Sequence, residues 1–135
     1  MKKAWWAAAA LMLAGCGQGG DAGTTADPHA GLDVAIKDWR ESIVQTEADC
    51  RQPNGPEGEA CQRFEVTCKV ESPIDAAERA AGVTQKVLAA MTWMARDPAM
   101  NEQQPASATA VFSRTGEGWT RKPAEPVNLR TCAPA

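Results

Sequence analysis

Leu32, Ala35, Ile36, Trp39, Ile43, Thr46 and Cys50 recur at steps of three and four, and on a helical wheel they fall on one stripe. Asp38, Arg40 and Glu41 occupy the remaining surface, so the spacing predicts an amphipathic helix whose last turn delivers Cys50 to the core side. Residues 51–60 carry two prolines and two glycines and read as a loop. Beyond them Phe64, Val66, Cys68 and Val70 alternate with Glu65, Thr67, Lys69 and Glu71, the period of a strand with one dry and one wet face. Cys68 is expected on the dry face.

Ser72-Pro73-Ile74-Asp75 then has the form of a helix start, with serine as N-cap, proline in the first turn and an acid near the positive end of the dipole. The helix is expected to run to Arg96, because Asp97 precedes Pro98 and is pushed out of the α region. Ala77, Ala80, Ala81, Thr84, Val87, Leu88, Met91, Met94 and Ala95 form its apolar stripe; Trp93 falls on the opposite, polar arc. Ala108, Ala110 and Phe112 alternate with Thr109, Val111 and Ser113, and residues 106–122 read as a hairpin with a slightly long loop around Thr115-Gly116-Glu117-Gly118. Pro123 and Pro126 break it, and residues 127–132 fit a short edge segment.

The element order predicts a small single α+β domain: two helices packed on one face of a three- to four-stranded antiparallel or mixed sheet, with two disulfides. Its core is expected from Leu32, Ile36, Trp39, Ile43, Phe64, Val66, Val70, Val87, Leu88, Met91, Phe112 and Trp119.

Residues 17–31 contain five of the eleven glycines and almost no large apolar side chain, which predicts a flexible spacer with His29, the lone histidine, exposed to solvent. Ahead of it, Met1-Lys2-Lys3 is a basic start, and residues 4–14 form an apolar run too short for a bilayer, which takes about 20 residues. Leu13-Ala14-Gly15-Cys16 closes that run and resembles the lipobox of bacterial lipoprotein precursors. The resemblance covers only the leader and implies cleavage before Cys16, diacylglycerol on its thiol and acylation of its new amino group. Since each buried methylene contributes about 0.8 kcal/mol of membrane affinity, three acyl chains would be a durable anchor. Gly17, standing where an aspartate would retain such a protein at the inner membrane, implies the outer membrane facing the periplasm in a Gram-negative host. The organisation expected is a signal peptide at 1–15, lipidated Cys16 and spacer at 16–31, and an envelope domain at 32–135.

Charge narrows the partners. The formal net charge of −3 becomes −5 once Lys2 and Lys3 leave with the leader, and no basic run follows, which argues against nucleic acid. Five cysteines are an odd number for an exported chain. With Cys16 assigned to lipid, Cys50, Cys61, Cys68 and Cys132 remain for disulfides. Three pairings are possible and the sequence does not choose among them; Cys50 with Cys61 and Cys68 with Cys132 is preferred, the first closing a tight loop and the second tying a central strand to the tail. The same four lack the Cys-x-x-Cys knuckle of a zinc site.

No nucleophile and base pair is visible, because the one histidine lies in the spacer and the thiols are assigned to disulfides. Glu57, Glu59, Glu65, Glu71 and Glu117 could supply the paired carboxylates of a glycan hydrolase, but read as solvated charges. Met91, Met94 and Met100 flank Trp93 and could hold Cu(I), though methionine on an apolar stripe is ordinary core. Trp93, placed on the polar arc, is the candidate anchor for a protein partner. The expectation is a membrane-tethered, non-enzymatic binding or assembly module of the cell envelope, without cofactor or resident metal. Its alternatives are a small carboxylate-dependent hydrolase and a copper-binding lipoprotein.

Overall fold

The computed structural model describes residues 27–51, 60–97, 99 and 102–135. Helix α1 (Leu32–Thr46) leads through a 3-10 turn (Ala48–Cys50) to strand β1 (Cys61–Glu71). A short helix α2 (Ala76–Ala80) precedes β2 (Val83–Arg96), β3 (Gln103–Thr115) and β4 (Gly118–Pro123). The strands form one antiparallel sheet in chain order β1-β2-β3-β4. The chain is a small α+β fold with two disulfides, Cys50–Cys61 and Cys68–Cys132.

Directly opposed residues of neighbouring strands share a face, so the register sorts the core. Val87 lies opposite Phe112, Ala89 opposite Ala110, Met91 opposite Ala108 and Trp93 opposite Ala106. Leu32, Trp39 and Ile43 of α1 join this face in one buried cluster, as the helical spacing predicts. Trp39 meets the Phe112 ring edge-on, with centroids 5.6 Å apart. Alanines beneath these aromatics leave room for them, the large-against-small pairing that fills a core without voids.

The long second helix is not formed. Five residues are helical, capped by Asp75 rather than Ser72, and none is buried, so α2 adds nothing to the core expected of it. The Asp75 carboxylate accepts from the Glu78 backbone N–H at 2.7 Å, and the Glu78 carboxylate accepts from the Asp75 N–H at 3.1 Å. Lys86 of β2 donates to the same Glu78 carboxylate at 2.9 Å. Gly82, at φ 93°, then turns the chain out of the helix in a conformation open mainly to glycine. From Val83 onward the residues also fit a period of two: Val87, Ala89, Met91, Trp93 and Ala95 are all buried on one face. Trp93, out of place on the helical wheel, is in place on the strand at 4% exposure.

In β1 the dry and wet residues alternate evenly in sequence, yet the strand does not present one face throughout. Gln62 opposes Met94 and Glu65 opposes Thr92, so Arg63 and Phe64 share the place across from Trp93. Val66 opposes Met91, but Cys68 opposes Ala90, and Thr67 is the extra residue. This second bulge carries Cys68 and Val70 to the face away from Phe64 and Val66. Val70 is therefore 37% exposed, not core. Cys68 instead founds a smaller cluster with Ala90 and Cys132, against which Leu88, Val127 and Leu129 pack.

That far cluster is covered by the tail. The Asn128 carbonyl accepts from the Cys132 N–H at 2.8 Å and its side chain accepts from the Arg130 and Thr131 N–H groups at 2.9 and 3.2 Å, forming a tight turn where an edge segment was expected. Only Val127 and Pro134 make a bridge. The β3–β4 hairpin is tighter than expected, because Thr115 pairs with Gly118 across only Gly116 and Glu117.

Trp93→Ala should cost about 3–5 kcal/mol in urea unfolding, the range for removing a buried large aromatic side chain. Asp75 tests the cap. Its N-cap bond to Glu78, above all, holds its carboxyl below the ordinary value of 3.8. A lowered folded-state pKa gives stability that is complete above the unfolded value and lost as pH falls through the folded one. Asp75→Ala should therefore melt below wild type at neutral pH, and the gap should close on acidification below 3.8.

Candidate functional site

Cys16, the expected lipidation site, lies outside the described residues, as do Glu57, Glu59 and Met100. The four distal cysteines are joined as preferred from sequence, with Cα atoms 5.1 Å apart for Cys50–Cys61 and 5.6 Å for Cys68–Cys132. Trp93 is not a surface anchor: its ring is buried and stacks on Phe64, with centroids 5.6 Å apart and planes 21° off parallel. Met91 and Met94 do not converge either. Met91 opposes Val66 under α1, whereas Met94 opposes Gln62 and Pro105 on the other side of the sheet. Among the described residues no group of three or more His, Cys, Asp or Glu side chains could hold a metal ion.

His29 is not free in a spacer. Its Nε2 lies 3.1 Å from a Glu71 carboxylate oxygen, and its ring meets Trp119 edge-on at 6.5 Å. The Trp119 indole N–H donates to the Ala30 carbonyl at 2.8 Å, and Arg114 donates to the Asp27 and Pro28 carbonyls at 3.0 and 2.8 Å. Gly31, at φ 85°, lets the chain turn into α1 with the Trp119 ring 3.4 Å from where a Cβ would stand. The folded unit thus begins by Asp27, held to the β3–β4 hairpin. Two opposing hairpin residues, Arg114 and Trp119, make this clasp. Nothing in the local sequence pattern announces it, since its contacts bridge some ninety residues, as in the separation of 89 between Ala30 and Trp119.

Two hollows lie near opposite ends of β1. One, of about 560 Å³, is mostly apolar and runs between Val70, Pro73 and Leu88 and the tail residues Pro126, Val127 and Pro134. The other, of about 580 Å³, is bounded by Arg40 and Val44 of α1, the Cys50–Cys61 disulfide, and Gln62, Arg63 and Phe64 of the first bulge. Arg40 and Val44, four apart on the helix, form one wall. The Arg40 guanidinium sits over the Phe64 ring, 5.4 Å from its centroid. Phe64 is in turn backed by Trp93, so a guanidinium and two aromatic rings form a continuous stack.

Arg63 stands at φ 59°, where a residue with a Cβ is uncommon. The bulge imposes this conformation, and with it both Arg63 and Phe64 border the cleft. No carboxylate lines the cleft among the described residues. Asp33 and Glu65 border a smaller hollow of about 240 Å³ that shares Arg40 and Phe64, yet neither they nor any other described acid pairs with Arg40 or Arg63. The sequence carried a trace of this site in Arg40 on the polar side of α1 and Arg63-Phe64 at the start of a strand. The bulge that unites them was not legible.

The clasp makes a separate prediction. Trp119→Phe keeps an aromatic ring, smaller than the indole, and removes the donor to Ala30, which should cost at least about 0.5–1.5 kcal/mol and speed amide exchange at Ala30 and Leu32 above that of the rest of α1. No family model, curated protein or solved structure matches the chain.

Proposed function

We propose that this chain is a membrane-tethered binding module of the bacterial cell envelope, anchored by acylated Cys16 and acting without catalysis of its own. The observation that carries the reading is the sulfur count. Of five cysteines, Cys50, Cys61, Cys68 and Cys132 are consumed in two disulfides, which leaves Cys16 for the acyl chains that Leu13-Ala14-Gly15-Cys16 resembles a signal for. Disulfides formed in pairs suit an oxidising compartment, where they would each add about 2–4 kcal/mol to a small domain.

On this reading the hydrogen bonds from Arg114 and Trp119 to residues 27–30 would hold the domain end of the tether. Residues 17–26 span at most about 35 Å however they are arranged. The module would work close to the membrane surface, with the Asp27 end nearest it and the arginine-lined cleft offered to a ligand.

Cys16→Ser should move the protein from the membrane to the soluble fraction and abolish labelling by radioactive palmitate, while urea unfolding of the domain stays as in wild type. A variant still membrane-bound and acyl-labelled would refute the anchor.

A further inference from the structure

The geometry points to the Arg40–Arg63 cleft as a binding site for a carboxylate borne next to an apolar or aromatic group. This names the ligand class of the binding module above and rests on that reading only for there being a ligand at all, since the anchor at Cys16 plays no part in it. Three observations converge. Two arginines, Arg40 and Arg63, border one cleft of about 580 Å³, within the usual size range of small-ligand sites, with no carboxylate among its described lining residues. Neither arginine is neutralised by a described acid, although the chain as a whole is acidic at −3.

The third observation is where backbone strain is stored. Glycine would adopt φ 59° freely, yet the bulge carries arginine there. Phe64, the next residue, faces Trp93 and receives Arg40 on its ring. Stacking holds the Arg40 fork in place before any ligand arrives, which reduces the ordering cost of binding. Planar guanidinium groups match a planar carboxylate through paired N–H donors. Val44 and the Phe64 ring supply apolar wall beside them, so the ligand's neighbouring group is apolar. Such a group occurs in a free organic acid and at the C-terminus of a peptide, and both present the same chemistry to the cleft.

The test is a titration of the whole ¹⁵N-labelled chain in detergent, following amide shifts at Val44, Arg63 and Phe64. The probes are N-acetylphenylalanine, its amide, and a hexapeptide ending in phenylalanine as free acid and as amide. The acids should saturate with a dissociation constant of about 1 mM or tighter, and the amides should bind at least tenfold more weakly. Raising the salt concentration should weaken the acids. Arg63→Gly is the informative variant, because glycine suits the backbone there: it should melt no lower than wild type and lose at least tenfold in affinity for the acids. Arg40→Gln should lose affinity as well. A hexapeptide acid binding well above N-acetylphenylalanine assigns the peptide source, and equal affinities assign the small acid. Acid and amide titrating alike, Arg63→Gly binding as wild type, or no saturable shift would overturn the site. None of these results bears on Cys16→Ser fractionation, so the two readings fail separately.

Discussion

The fold depends on the seating of Trp39 and Trp93 on a sheet face kept low by alanine. Ala89 and Ala110 oppose each other on that face, fully buried, and Ala106 and Ala108 lie opposite Trp93 and Met91. Small residues there let the aromatic side chains of α1, β1, β2 and β3 interlock: Trp39 against Phe112, Phe64 against Trp93. With larger residues in place of the alanines, the same volume would be filled twice, and overpacking a closed core costs about 1–3 kcal/mol. This explains how a chain with little aromatic content closes a core: its few large rings meet one another, with alanines leaving room on the sheet beside them.

Alanine also made β2 hard to read. Ala89, Ala90 and Ala95 have no preference for helix or strand by shape, and alanine has the highest intrinsic helix propensity, so Val83–Arg96 satisfied a helical stripe and a strand alternation together. Trp93 was the discriminating residue. On a helix it would leave a large indole among charged side chains; on a strand it falls in register with Val87, Ala89 and Met91. A misplaced tryptophan is better taken as a sign of the wrong period than as a binding surface. Helix α1 was legible because its Leu32, Trp39 and Ile43, seven and four residues apart, fall on one helical face, and all three are buried. The β3–β4 hairpin was legible because Gly116 lies between two alternating runs.

The candidate cleft was less legible, for a different reason. Arg40, Arg63 and Phe64 come together through a bulge, and a bulge is a property of pairing with β2 rather than of the β1 sequence. Even alternation of Phe64, Val66, Cys68 and Val70 suggested an undisturbed strand, whereas the register slips once before Glu65 and again before Cys68. The clasp on Asp27 to Ala30 is likewise a matter of tertiary contact, in which Arg114 and Trp119 meet a segment whose glycine-rich approach suggested a spacer.

Those two bulges account for how one edge strand serves both sides of the sheet. Before the second bulge, Cys61, Phe64 and Val66 belong with α1, and Cys61 is joined to Cys50 just beyond the end of that helix. After it, Cys68 faces the other way and is joined to Cys132 of the tail. An evenly paired β1 would present Cys61 and Cys68 on opposite faces as well, but would set Phe64 and Val66 on the face of Cys68; the two insertions place them with Cys61 under α1 and still deliver Cys68 to the tail. The bulges also twist a strand that would otherwise expose a long flat edge to other chains, and Arg63, Glu65, Lys69 and Glu71 along it add charge to the same effect. An arginine held at a strained bulge therefore stands where edge protection, disulfide placement and the cleft all meet. Only the last of these requires its guanidinium, since glycine would satisfy the backbone and any charge would guard the edge.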